Sequence, residues 1–96
     1  MAVKFQTKEH EGFVLVEFEL DSPVIKPEEL REITPPAVPV GRGVVISGRG
    51  PIWLYGVLIH HFHPASWVAV FDPRLGGGVV VESHVPEVQV GDVVKV

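Results

Sequence analysis

The stretch G-V-V-I-S-G-R-G-P-I-W-L-Y-G-V-L-I-H-H-F-H-P-A-S-W-V-A-V-F-D-P-R-L, from Gly43 to Leu75, decides the fold. Val44 to Ser47 is a short β-branched run ending at glycine, which marks a buried strand rather than a helix. Pro51 suits the first turn of a helix and Pro64 forbids its continuation, so Pro51 to His63 reads as helical. Trp67 to Phe71 is the next strand. Strand, helix, strand in this order implies a parallel pair with a right-handed crossover. The helix is apolar nearly all round, with Leu54, Val57 and Leu58 on one side and Ile52, Tyr55, Ile59 and Phe62 on another. Such a helix is expected to be covered twice, by its own sheet and by a second copy of the chain.

Working outward, Val3 to Thr7 and Phe13 to Leu20 flank a Glu11-Gly12 turn and form a hairpin. Ser22 to Ile33 reads as a short helix: Pro27 suits its first turn, Glu28 and Glu29 favour its positive end, and Pro35-Pro36 stops it. Thr34 to Gly43 is a stiff proline-rich connector. Asp72 to Gly78 is too short to hold another crossover, so Val79 to Ser83 should return antiparallel. A turn at Gly91-Asp92 leads into a last strand, Val93 to Val96. The expectation is one α/β domain over residues 1–96, a small mixed sheet with two helices.

Composition bounds the function. At 96 residues the chain would bury roughly 60 to 70% of its unfolded surface, so a partner subunit would help it. There are no cysteines, hence no disulfides and no thiolate metal site. No apolar run reaches the roughly 18 residues expected of a membrane span, and M-A-V-K-F-Q-T-K-E lacks a signal-peptide core, so a cytoplasmic location is expected. The net charge of −4 disfavours loose binding to a polyanion. Between Gly41 and Val81, however, three arginines (Arg42, Arg49, Arg74) face one aspartate, Asp72; this gives +2 there and leaves −6 for the rest. A compact anion can be held by such focused arginines.

Ser47-Gly48-Arg49-Gly50-Pro51 joins a strand to a helix amino terminus, where free N–H groups and the helix dipole favour phosphate. Gly48 and Gly50 would let the backbone approach a ligand, and Arg49 adds charge. Neither dinucleotide nor Walker fingerprint is present. The competing reading is a tight turn with a solvated arginine. Asp72-Pro73-Arg74 follows the neighbouring parallel strand and emerges at the same sheet edge. Asp72 there could ligate a metal, orient Arg74 or act as a base, or simply cap a hairpin turn. His60 and His63, at i and i+3, share a helix face with Trp53 and Gly56, whereas His61 points toward Leu54 and Val57. An imidazole pair can hold a divalent ion or shuttle protons, yet two histidines are an incomplete site. His84 is the natural addition, with Glu82 two residues earlier on its strand. A 13-residue helix is about 20 Å long, so the histidines lie at the opposite sheet edge from Asp72 and Arg74. One small substrate cannot reach both edges of one subunit.

At these residues the chain resembles the CRISPR-associated ring nucleases of the Csx-three family, accessory proteins of type III systems. The resemblance rests on V-V-I-S-G-R-G-P-I-W-L (Val44 to Leu54), H-H-F-H (His60 to His63), V-A-V-F-D-P-R-L (Val68 to Leu75), and the pairs Val79-Val80 and Ser83-His84, with a looser match at Val90-Gly91-Asp92. It implies a relative of the CRISPR-associated Rossmann fold, dimeric, with dimers stacked head to tail into tetramers or filaments. It implies manganese-dependent cleavage of cyclic tetra-adenylate, the messenger that activates other nucleases, or removal of 3′ adenylates from linear RNA. A sensor that binds without turnover is the alternative. Carried onto this sequence, Ser47, Gly48, Arg49 and Gly50 would bind ligand and His63, Asp72 and Arg74 would be catalytic. His60, His63, Asp72 and His84 would be the candidate ligands of Mn2+. The chain ends at Val96, short of where the family continues, which implies a further terminal strand or helix.

Overall fold

The computed structural model describes residues 2–96. Six strands form one sheet in sequence order: β1 (Val3–His10), β2 (Phe13–Leu20), β3 (Gly43–Ser47), β4 (Trp67–Asp72), β5 (Gly77–Ser83) and β6 (Val93–Lys95). β1 and β2 pair antiparallel across the expected Glu11-Gly12 turn, where Gly12 takes a positive φ. β2, β3 and β4 run parallel, and β5 and β6 return antiparallel. The β2–β3 pairing supplies a second parallel pair beside the β3–β4 pair that the sequence implied.

Alternation along the central strands divides the core between two faces. Val14, Val16 and Phe18 of β2, Val44 and Ile46 of β3, and Val68 of β4 meet Ile25, Leu54, Leu58 and Phe62. Phe13, Leu15, Val45, Trp67, Ala69 and Val80 line the other face, covered by Val85, Val88 and Val94 from the carboxyl-terminal segment. Both crossovers therefore pack on one face. The β2–β3 crossover carries only a 3-10 helix, Pro27–Glu32, in place of the expected helix over residues 22–33. Its prolines leave too few backbone donors for a longer helix.

The β3–β4 crossover is the α-helix α1 (Ile52–His61), with Pro51 as its amino-terminal cap. It is shorter than the expected Pro51 to His63, because Pro64 disfavours helical backbone at the residue before it. Leu54 and Leu58 are fully buried against the sheet, whereas Ile52 is 88% exposed and Trp53 37%. The chain's own sheet thus covers one side of α1 and leaves the other open. Among the described residues no helix is long and apolar enough to cross a membrane.

Candidate functional site

The arginine edge is built where β3 and β4 end. Ser47 closes β3, and the loop to α1 lies directly on Phe18: a Cβ on Gly48 would sit 2.6 Å from both the Phe18 ring and its carbonyl oxygen. Packing on Phe18 by itself already requires glycine at position 48. Tyr55, one turn into α1, donates its hydroxyl to the Gly48 carbonyl at 2.5 Å and stacks edge-on against Phe18 at 5.3 Å. Burial pushes the Tyr55 phenol above its ordinary pKa, so it stays a donor. The loop is fixed from beneath, and Arg49 stands exposed at its apex beside the amino terminus of α1.

Asp72 ends β4 at the same sheet edge. Its carbonyl accepts the N–H groups of Leu75 and Gly76 at 3.0 Å each, and Gly76 supplies the positive φ the turn needs. The Asp72 carboxylate accepts from the Arg74 backbone at 2.9 Å and from its guanidinium at 3.3 and 3.1 Å. These bonds hold the Asp72 carboxyl below its ordinary range. Both the turn-capping role and the arginine-orienting role foreseen for Asp72 are present. Arg42 is different: it donates to Glu9 at 3.2 Å, to the Phe13 carbonyl at 3.0 Å and to the His10 carbonyl, clamping the first hairpin. The cluster of three arginines thus reduces to Arg49, with no acidic partner among the described residues, and Arg74, held by Asp72.

A cavity of about 410 Å³ opens beside Ser47 and Gly48 on the face away from α1, but Glu17 and Glu19 line it along with Lys4 and Gln6. Those carboxylates make this cavity a poor site for an anion.

The histidine edge lies at the other end of the same strands. The β4–β5 ladder pairs Asp72 with Gly77 at one end and Trp67 with Ser83 at the other. Five steps of about 3.3 Å separate the ends, roughly 17 Å. His63 Nδ1 lies 2.7 Å from Glu82 Oε2, and His84 Nε2 lies 3.1 Å from the His63 carbonyl oxygen. The two imidazoles meet edge to face at 4.8 Å. One ligand atom each from His63, Glu82 and His84 fall within 4.8 Å of one another.

A β-bulge assembles this cluster. Val68 faces Glu82 and Ala69 faces Val80, so Val81 is an extra residue in β5. Simple alternation from Val80, which packs on the face away from α1, would point Glu82 to that face too. The bulge turns Glu82 toward the end of α1, where it meets His63.

Two expected metal ligands stay outside the cluster. Asp72 is a strand length away, engaged with Arg74, so the expected set of His60, His63, Asp72 and His84 is not gathered within one chain. His60 remains on α1, exposed, while His63 lies beyond the helix end and leaves the i, i+3 geometry. Glu82 takes a place no sequence pattern assigned to it. A carboxylate beside a histidine on the same strand was the only available signal.

The donor set suits a divalent cation. Glu82 Oε1 is buried and has no hydrogen-bond partner, although its sister oxygen is bonded to His63. An orphaned carboxylate oxygen beside two imidazoles is a costly arrangement that a cation would satisfy. The imidazoles of His63 and His84 are both exposed.

Comparison with known proteins places the chain in a family. The family model described as CRISPR-associated protein (Cas_csx3) matches residues 17–95, which spans both edges. A protein of Aquifex aeolicus (strain VF5), described as uncharacterized, is 51% identical over 92 residues, covering 92% of this chain and 82% of its own length.

Proposed function

The chain belongs to the Cas_csx3 family of CRISPR-associated proteins, and from that premise we propose that it is a metal-dependent phosphodiesterase, a ring nuclease acting on cyclic tetra-adenylate. The observation that carries this reading is the division of complementary chemistry between two ends of one sheet. An arginine edge whose carboxylate, Asp72, is engaged with Arg74 suits a phosphodiester, and a His63-Glu82-His84 cluster about 17 Å away suits a cation and proton transfer. Reacting atoms must approach to about 3 to 3.5 Å, so both edges serve one phosphodiester only when two copies stack head to tail. The parallel β2-β3-β4 core supports kinship with the CRISPR-associated Rossmann fold.

In this reading Arg49 and the Ser47 hydroxyl hold one phosphate, while the Asp72-oriented Arg74 guanidinium neutralises charge on the phosphate that reacts. Asp72 fixes Arg74 so that little reorganisation is needed when charge develops. A second copy brings its histidine edge. A manganese ion held by Glu82 Oε1 and His84, beside His63, would polarise the phosphate and offset its charge. Its entry would replace the proton that His84 shares with the His63 carbonyl. Glu82 Oε2 keeps the His63 Nδ1–H and leaves Nε2 to take the proton of the adjacent 2′-hydroxyl or of water as that oxygen attacks phosphorus, and to return it to the departing oxygen as the P–O bond breaks. The 2′-hydroxyl makes RNA the substrate class.

Purified protein incubated with cyclic tetra-adenylate and manganese should give linear product. His63→Ala and Asp72→Ala should each abolish it. No product from the wild type, or variants equal to wild type, would sink the proposal. A second reading is favoured by the same 17 Å separation: an unstacked chain presents only the arginine edge and would bind the messenger without cleaving it. Tight binding with intact ligand after long incubation would support that sensor. Loss of terminal adenosines from a tailed linear RNA would instead support a 3′ deadenylating exoribonuclease.

A further inference from the structure

Trp53 is the residue of the S-G-R-G-P-I-W-L motif that neither edge uses. It lies in the first turn of α1, away from the buried Leu54 and Leu58, and keeps 37% of its surface exposed. The other tryptophan, Trp67, is 7% exposed and packs near Phe13. Among the described residues Trp53 makes no ring contact, whereas Phe18 and Tyr55 are paired with each other. An indole left open costs apolar hydration, and here it stands over a cleft of about 360 Å³ that also contains Arg49, Leu20, Pro23 and Val24. That volume is within the range of small-ligand sites, about 300 to 1,000 Å³. The cleft adjoins a second, of about 590 Å³, which shares Arg49, Leu20 and Pro23 and whose rim carries Glu19 and Asp21.

Resting on the reading of Arg49 as a phosphate holder, we propose that Trp53 and this apolar cleft form the base-stacking subsite for the nucleotide whose phosphate Arg49 grips. Arg49 is the only charge in the cleft, so one anionic group is matched at its mouth and an uncharged ring is matched within. Glu19 and Asp21 at the neighbouring rim repel a second phosphate and accept hydrogen bonds from exocyclic amino groups, which adenine carries and uracil lacks. Indole and guanidinium planes are the surfaces on which unpaired bases stack. Pro23 and Val24 close the cleft with little side-chain entropy to lose on binding. Tyr55 and Phe18 pin the loop that carries Arg49, so Arg49 and Trp53 keep a fixed relation.

Affinity for cyclic tetra-adenylate, measured by calorimetry on the full chain, should fall about tenfold or more in Trp53→Leu. Trp53→Phe, which keeps an aromatic face, should retain most of it. Tryptophan emission of the wild type should be quenched by cyclic tetra-adenylate and by adenylate dinucleotide but not by ribose 5-phosphate, and Trp53→Phe should lose the quench because Trp67 is buried. Sedimentation of each variant without ligand accompanies the titrations. Trp53→Leu binding within twofold of wild type would overturn the subsite alone. So would an affinity loss accompanied by dissociation of the assembly, which would assign Trp53 to contact with a second copy. A wild type that binds no adenylate would remove the phosphate reading and the subsite together.

Discussion

Mixing two inactive variants should restore cleavage. His63→Ala removes the histidine edge and leaves the arginine edge intact, and Asp72→Ala does the reverse. The ends of the β4–β5 ladder that carry these edges are about 17 Å apart, several times the 3 to 3.5 Å that a reacting pair requires. In the proposed reading each working site draws its halves from different copies in a head-to-tail contact. In an equal mixture with free exchange, a site receives an intact arginine edge half the time and an intact histidine edge half the time. About one quarter of wild-type turnover should return at the same total protein, from a background near zero, as expected for a heterologous contact that takes one face from each copy. The assay is conversion of labelled cyclic tetra-adenylate to linear product with manganese, after the variants are mixed and incubated to exchange. Specific activity of the wild type should also rise with protein concentration until stacking saturates. Failure of the exchanged mixture to recover activity, or specific activity independent of dilution, would refute the claim that the site spans two copies.

Other outcomes follow from single residues. Leu58→Ala, at a fully buried position of α1, should destabilise the fold by about 2 to 5 kcal/mol in urea titration. Gly48→Ala drives a methyl group into Phe18 and should cost about 1 to 3 kcal/mol while weakening adenylate binding, read by thermal melts and calorimetry. Tyr55 has its folded-state pKa raised by burial above the ordinary 10.0, so its contribution to stability is complete below that value and is lost as pH rises through the folded value. Tyr55→Phe should accordingly flatten the alkaline side of the stability profile. Glu82→Ala should weaken manganese binding, measured by calorimetry with the ion alone, by at least tenfold while leaving adenylate binding at the arginine edge unchanged.

The parallel β3–β4 pair, its helix and the antiparallel return were legible because hydrophobic periodicity and proline punctuation carry them. The separation of the two edges was legible for the same reason, since it depends only on strand direction and helix length. Three features were not. The β2–β3 parallel pairing is a long-range contact across a proline-rich connector, and nothing local encodes it. The role of Glu82 depends on a bulge at Val81, a shift of register inside a run of valines that offers no sequence mark. Arg42 read as one more basic residue of a ligand-binding stretch, yet its guanidinium closes a hairpin formed 30 residues earlier. His60 and His63 show the converse error: their helical spacing extends two residues past His61, where the helix ends ahead of Pro64.

In the proposed reading the site is divided because a single sheet places its arginine and histidine edges about 17 Å apart. The arginine edge is shallow, with Arg49 and Arg74 both exposed and the nearby cavity narrowed by carboxylates. Water competes strongly with such arginines until something covers them. In the proposed reading a second copy that lays its histidine edge over the first would exclude that water at the step that delivers His63, so that enclosure and assembly would be the same event. The rigid loop over Phe18 suits this arrangement, because a preformed arginine edge need not reorganise when it is covered. On the same reading, the Trp53 cleft beside the arginine edge would hold the messenger until the histidine edge arrives.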